Sequence, residues 1–317
     1  VGTWSGCNGS GTEGTYSISQ QPSGRGDPCP YTNGYKLECS VSLDTRMMGI
    51  SISHNRQHAW AVPDDTSLRI MYKNEQEWDN DSEDHTWTAV LYNSYNWDFK
   101  DGYTFSSQTV QFSQFAVSNS GDVWATSYDP GTNNHHKLFH LPANGDTWKQ
   151  YSCTIDSLSV TPNGKYIFGV RNGAPNSIYC IDTVSNRDRY FILDTDLSKP
   201  IKQISVNDTE IWVIVDYPNN VNVWYCEYGS IAEDDTLSFT LSTGSHAKYI
   251  SVTNGLYTIL ETTDSVRYIR DKNTNWNKYA LGDAYMRKER NMVFATDEKI
   301  YVQNKDNGKL YKILHLG

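Results

Sequence analysis

Three short apolar runs, each the length of a β-strand, return along this chain at a fixed spacing. One copy reads Leu158-Ser159-Val160, then Tyr166-Ile167-Phe168-Gly169-Val170, then Ser177-Ile178-Tyr179-Cys180. The aromatic residue of the second run serves as a ruler. Trp124, Phe168, Trp212, Tyr257 and Tyr301 are 44, 44, 45 and 44 residues apart. Trp60 precedes Trp124 by 64, one period plus 20 residues, and one further period back reaches Tyr16. A fixed period of this length built from short strands is the mark of a radial array. Four-stranded blades of a β-propeller fit it best. A single blade cannot cover both its faces, so each must pack against the next. The expectation is an all-β fold, a β-propeller of four-stranded antiparallel blades, with the ruler aromatics as filler between blades.

Blade number turns on the N-terminus. Tyr35 to Val41 reads as an outer fourth strand, equivalent to Trp148–Tyr151 and Tyr190–Leu193. Without the 20-residue surplus the chain holds about 6.8 periods of 44, which favours seven blades with a degenerate first one around Tyr16. Six is the alternative, in which Leu37–Val41 completes the last blade. In both cases pairing of N- and C-terminal strands shuts the ring and removes its open edges. The whole chain, 1–317, is expected to form one propeller domain. Within it 1–45 form an irregular N-terminal segment, either degenerate blade or closure strand, and 73–109 form an insertion on one face.

Composition agrees with many short strands and tight turns. Charged residues make up 20%, aromatics 13%, and the net charge is −10. An acidic surface repels phosphate backbones, so nucleic acid is excluded as a partner. No apolar run is long enough to span a membrane as a helix. Six cysteines, Cys7, Cys29, Cys39, Cys153, Cys180 and Cys226, include no CxxC pair, and this suits disulfides better than zinc. Joining Cys153 to Cys180 would tie one blade internally; joining Cys7 to Cys29 or Cys39 would pin the N-terminus. Glycosylation sequons begin at Asn8, Asn80 and Asn207. Together with the first residue, Val1, these point to a processed, secreted, extracellular glycoprotein. Arg25-Gly26-Asp27 matches an adhesion tripeptide but sits in a Gly/Pro-rich stretch, where a solvated turn is the default.

The insertion concentrates Trp78, Trp87, Tyr92, Tyr95, Trp97, Phe99 and Tyr103 among acidic residues. Loops that exceed their repeat are where binding is usually added. Thr86–Tyr92 alternates as an outer strand would, and the remainder is expected to stand off one face of the ring. Sugars stack an apolar face on Trp or Tyr while Asp, Asn and Arg take the hydroxyls. Trp78, Trp87, Trp97 and Asp98 are therefore the candidate ligand-binding residues. Asp79, Asp81 and Glu83 alternate like the opening ligands of a calcium loop, but Asp84 replaces the required glycine and Val90 the closing glutamate. A looser calcium site is the only cofactor expectation. His54, His58, His135, His136 and His140 flank turns without the convergent spacing of a zinc site. No nucleophile elbow, phosphate loop, dinucleotide fingerprint or HExxH motif occurs. Ser118–Trp124 has the content of a sialidase Asp-box in the wrong order.

The units Phe115–Trp148 and Leu158–Tyr190 resemble the tectonin repeat. Ala116-Val117-Ser118, Gly121, Val123-Trp124-Ala125, Lys137-Leu138-Phe139 and Trp148 match it in order, and the resemblance extends loosely over 46–314. It implies a secreted propeller of the tachylectin and fish-egg-lectin type, which binds carbohydrates or bacterial surface glycans. It implies no particular ligand residue. Three functions stand as expectations: a carbohydrate-binding propeller, an extracellular structural protein that self-assembles, and an enzyme acting at the central channel mouth.

Overall fold

The computed structural model describes residues 31–32, 35–40, 47–63, 69–74, 88–91, 96–99, 111–128, 136–143, 145, 147–171, 174–192, 199–216, 223–229, 237–242, 247–261, 265–270, 275–280, 291–304 and 310–313. All regular structure among them is β-strand.

The strands fall into blades by their pairing. Before the first blade come β1 (Tyr31–Thr32) and β2 (Tyr35–Ser40). Blade I is β3 (Met47–Ile52), β4 (His58–Pro63), β5 (Arg69–Asn74) and β6 (Thr88–Leu91). β7 (Asn96–Phe99) follows. Blade II is β8 (Gln111–Val117), β9 (Val123–Tyr128), β10 (Lys137–Leu141) and the first half of β11 (Thr147–Val160). Blade III is the second half of β11 with β12 (Tyr166–Arg171), β13 (Ala174–Asp182) and β14 (Arg187–Ile192). Blade IV is β15 (Ile201–Val206), β16 (Glu210–Val215), β17 (Val223–Glu227) and β18 (Thr240–Leu241). Blade V is β19 (Ala247–Val252), β20 (Tyr257–Glu261), β21 (Ser265–Ile269) and β22 (Asn277–Ala280). Blade VI is β23 (Asn291–Ala295), β24 (Ile300–Asn304), β25 (Leu310–Ile313) and, on its outer side, β2.

β2 pairs antiparallel with β25, Leu37 opposite Ile313 and Ser40 opposite Leu310. The turn of blade VI meets the turn of blade I, where the Asp297 amide donates to the His54 carbonyl at 3.1 Å. The described residues thus form five sheets in cyclic contact, the one from β8 to β14 spanning blades II and III. Among the described residues the strand at Leu37 pairs with β25, as the six-blade alternative has it. Tyr16, on which the seventh blade rested, lies outside the described residues.

Alternating side-chain direction explains the packing. Along β16 every residue from Glu210 to Val215 is buried, and neighbours face opposite sides. Val213 joins Phe168 and Ile178 in the core between blades III and IV, whereas Trp212 joins Ile250 and Ile259 between IV and V. Trp60, Trp124 and Phe168 likewise point to the following blade: Trp60 meets Phe115 at 5.9 Å, and Trp124 lies in the core with Ile155 and Ile167. These aromatics fill space between blades, as expected. Tyr257 is the exception. Pairing sets Trp212 opposite Ser205 but Thr258 opposite Ser251, so Tyr257 stands one place early and faces back. Its ring lies 5.2 Å from that of Trp212, on the blade IV side. The equivalent seats, Trp212 and Thr258, are 46 residues apart, and Tyr257, one place early, reads as a step of 45.

The inner strands are laced to one another by side chains. Ser157 and Ser159 Oγ accept from the Ile204 and Val206 amides at 3.2 and 3.1 Å. Ser205 Oγ accepts from Val252 and Ser251 Oγ from Ala295 at 2.9 and 2.8 Å. Gln203 is bidentate to Ile250, its Nε2 donating to the carbonyl and its Oε1 accepting the amide. Serines 46 residues apart (Ser159, Ser205, Ser251) thus satisfy inner-strand amides that no fifth strand could reach.

Candidate functional site: the ring of inner turns and the blade rims

Each inner hairpin closes on a short polar side chain. Ser53 Oγ accepts the His58 amide, Ser118 Oγ that of Asp122, Thr161 Oγ1 that of Tyr166, and Asn207 Oδ1 that of Glu210. Thr253 and Thr296 Oγ1 do the same for Leu256 and Lys299. These residues are common at turns because their side chains bond nearby backbone. The next residue in each turn, His54, Asn119, Pro162, Asp208, Asn254 and Asp297, belongs to a ring around the axis.

Bonds run from turn to turn. The Asn55 amide donates to Asn119 Oδ1 at 2.9 Å, and the Asn119 amide to the Pro162 carbonyl at 2.9 Å. The Asn163 amide donates to Asp208 Oδ1 at 3.0 Å. The Asp208 amide donates to Asn254 Oδ1, and Asn254 Nδ2 returns a bond of 2.7 Å to Asp208 Oδ2. Arg56 pairs with Glu298 at 3.0 Å across the junction of blades VI and I. Within this ring burial pushes the His54 imidazole down to about 4, against the pull of Asp297 and Asp208, so it is neutral near pH 7. His54 Nδ1 and Asp297 Oδ1 are buried without a hydrogen-bond partner.

A second cluster lies on the blade II turn. His140 Nε2 contacts Asp122 Oδ1 at 3.1 Å, Ser120 Oγ donates to Asp122 Oδ2 at 2.6 Å, and Ser120 and Ser118 share a bond of 2.8 Å. A hydrolase needs the imidazole against the hydroxyl; here the carboxylate separates them. The His140 bond, first among several, holds the Asp122 carboxyl below its ordinary range. His140 stacks on Trp124, centroids 4.0 Å apart and planes 7° from parallel. The cluster staples turn, second strand and third strand of one blade.

The sequence-predicted residues fall into three groups. Trp78, Trp87, Asp79, Asp81, Glu83, Cys7, Cys29, Asn8, Asn80 and the Arg25–Asp27 tripeptide lie outside the described residues. Trp97 and Asp98 lie in β7, which runs parallel to β11 with Trp97 level with Trp148 and Asp98 with Lys149. This part of the insertion therefore extends the rim of blade II and does not stand off a face. The Thr86–Tyr92 expectation corresponds to β6, which pairs with β5.

Asn207 is 1% exposed. Its Nδ2 donates to the Thr253 carbonyl at 3.1 Å and to Glu210 Oε2 at 3.4 Å. A glycan on that nitrogen has no room, and this candidate glycosylation site is withdrawn. Cys153, Cys180 and Cys226 are thiols, so the Cys153–Cys180 bridge is withdrawn too. Tyr179 and Cys180 are neighbours on β13 and face opposite sides. Cys153 packs on the Tyr179 side, while Cys180 and Cys226 lie in the core between blades III and IV. Burial pushes the thiols of Cys153 and Cys226 up to about 12 and that of Cys180 higher still, which leaves them unreactive near neutral pH. Cys39 lies in β2. Among the described residues no three His, Cys, Asp or Glu side chains converge as metal ligands, and no helix is long and apolar enough to cross a membrane.

No protein-family model matches the chain, and no curated protein matches it by sequence. Solved structures match it in shape. It is similar to an auxiliary nutrient binding protein from Bacteroides thetaiotaomicron, at TM-score 0.55 and 9% identity, over 85% of this chain and 69% of that one. It is similar to the β-propeller domain of Cps50 (Swd1) from Myceliophteria thermophila, at TM-score 0.52 and 6% identity, over 85% and 84%. It is also similar to YCF48 from Cyanidioschyzon merolae, at TM-score 0.51 and 12% identity, over 88% and 98%. At such identities the shared property is the fold: this chain is a β-propeller.

Proposed function

We propose that this β-propeller is a carbohydrate-binding protein that engages glycans through the aromatic-rich insertion on the rim of blade II. The observation that supports this reading best is the pairing of β7 with β11, which carries the aromatic-rich insertion along the outer strand of blade II, with Trp97 and Asp98, as neighbours in a strand, serving its two faces. An aromatic face for the apolar side of a sugar and a carboxylate for its hydroxyls is the chemistry such a site needs. The tectonin-like order of Ala116 to Trp148 speaks for the same ligand class. The nutrient-binding description of the Bacteroides neighbour is compatible with capture of a small molecule by this fold.

The proposed action is binding without catalysis. At the ring of turns the amides and Asp208 are engaged in turn-to-turn bonds, and the Ser120–Asp122–His140 order is wrong for a nucleophile. Extracellular residence belongs to the same proposal and rests on Cys7, Cys29 and Cys39 and on Asn8 and Asn80, since the three described thiols and Asn207 do not speak for it. Calcium at Asp79, Asp81 and Glu83 would sit within the same insertion as the sugar.

A glycan array probed with the wild-type chain, with calcium and with chelator, tests the proposal. The expected outcome is a defined set of bound glycans, lost on Trp97→Ala and weakened by Asp98→Asn. A blank array under both conditions, or binding indifferent to Trp97→Ala, would sink it.

A further inference from the structure

The rims of the blades are not alike. β7 is already added beside β11 in blade II, and β1 beside β2 in blade VI. Outer strands of this ring therefore accept a fifth strand, in either direction. β14 of blade III is six residues long and, among the described residues, pairs with β13 alone. The outer strands of blades I, IV and V are shorter, with four, two and four residues. A free strand edge offers a row of amide and carbonyl groups to any extended chain.

The side chains around this edge carry a pattern. Val184 is 80% and Tyr190 49% exposed, two of the three large apolar side chains exposed among the described residues. Arg187 and Arg189 alternate on one face of β14. On the other face the Arg171 guanidinium lies 4.7 Å from the Tyr190 ring centre, and Asp188 accepts the Tyr179 hydroxyl at 2.9 Å. An open depression beside the strand is lined by Asn186, Arg187, Asp188 and Arg189. Three arginines thus gather at one rim of a chain whose net charge is −10.

We propose that β14 is a docking edge for an extended acidic peptide, which adds to blade III as a fifth strand. Residues of such a peptide opposite Arg187 and Arg189 are two apart and share a face, so carboxylates at alternate positions meet both guanidinium groups. The position between them lies on the Tyr190 face, which takes an apolar side chain. This is strand addition, with backbone bonds for affinity and alternate side chains for specificity.

A second copy of this chain fits less well. Two β14 strands joined antiparallel about an axis normal to the sheet keep their faces, so each residue meets one of its own parity. An axis at Arg189 sets arginine against arginine. An axis at Asp188 sets aspartate against aspartate and Arg187 against Arg189. An axis at Tyr190 sets the charges against Phe191 and Ile192. Like charges directly opposed are unfavourable. The arginines therefore guard the edge against its own kind while admitting an acidic strand.

The test uses the full chain and fluorescent, end-blocked octapeptides of alternating Val and Glu or alternating Val and Lys, followed by anisotropy. The Val–Glu peptide is expected to saturate. The Val–Lys peptide should bind at least tenfold more weakly, as should a Val–Glu peptide N-methylated on alternate amides. The double variant Arg187→Glu/Arg189→Glu should reverse the preference to Val–Lys, a gain that an unfolded variant could not show. Equal binding of both peptides, indifference to N-methylation, an unreversed preference or no saturable binding each overturns the proposal. A ligand-free dimer in light scattering that the double variant abolishes overturns it as well, by giving the edge to a second copy. The glycan reading concerns the rim of blade II and stands or falls separately.

Discussion

Blades II and III are joined by an unbroken strand, whereas the ring is closed at blade VI by two strands from opposite ends of the chain. β11 runs for 14 residues, pairing with β10 as far as Thr154 and with β12 from Ile155 onward. Seven strands thereby form one path from β8 to β14. At the closure, β2 holds β25 by backbone pairing between residues roughly 270 apart in sequence. The first joint is made locally; the second can form only after the ring is nearly built, because its loop entropy must be met by contacts already in place. The lesson is that a ring of similar blades need not have similar joints, and that perturbations at the two should differ in size and kind.

The largest effect is expected in the core of the fused pair. Trp124 is almost wholly buried, stacks on His140 and meets Tyr151 at 5.2 Å. Trp124→Ala should cost about 3–5 kcal/mol, the usual range for emptying a buried aromatic site, read as a lowered midpoint in urea unfolding. Next comes Gly169, in β12 beneath the point where β11 changes blades. A Cβ there would overlap the Ile155 side chain and lie 3.0 Å from the Ser157 carbonyl oxygen. Gly169→Ala should cost roughly 1–3 kcal/mol through overpacking. A neutral outcome at Gly169 would mean that β11 shifts freely over β12 and that the joint is not rigid.

At the seam the expected effect is tuned by pH. His54 has its folded value lowered from 6.5 to about 4, chiefly by burial. The unfolded chain therefore binds the proton first. The stability His54 contributes is complete above about 6.5, falls as pH drops, and is gone once pH passes through about 4. Hydrogen exchange at the Asp297 amide should accelerate over that window, and His54→Gln should flatten the dependence. The fused joint is not expected to follow this curve. An Asp297 amide whose exchange is level between pH 6.5 and 4, after correction for intrinsic rates, would remove the seam's distinctive response.

Much of this architecture was legible in the period, and the misses have physical causes. The ruler located all six second strands because large rings fill the gaps between blades whatever the loops do. It mistook the seat of Tyr257, since a shift of one residue turns a side chain to the other face while the count changes only from 46 to 45. The blade count stayed open in the sequence because Leu37–Val41 could serve either as the end of a first blade or the end of the last, and only pairing, here of β2 with β25, tells the two apart. The sequon at Asn207 was read as a surface signal, although an inner-turn asparagine followed by Asp208 fits the same hairpin role as Thr253-Asn254 and Thr296-Asp297. That signature was visible and marked the ring of turns, as the serines 46 apart marked the lacing of the inner strands. The rim strand β7 was not legible, because a parallel addition to the next blade leaves no local periodicity.

The smallest effect separates the seam's two kinds of contact. Arg56 and Glu298 approach to 3.0 Å, but Glu298 is 67% exposed, and exposed ion pairs contribute roughly 0–1 kcal/mol with screening by salt. Arg56→Ala should therefore shift the unfolding midpoint by less than a cavity in the blade II–III core does, and raising salt to molar levels in the wild type should reproduce most of the shift. If Arg56→Ala instead matched Trp124→Ala, closure would depend on that single ion pair, and the backbone pairing of β2 with β25 and the Asp297–His54 bond would be secondary. If it changed nothing even at low salt, the seam would be held by backbone alone, which is the stronger form of the contrast with the continuous strand β11.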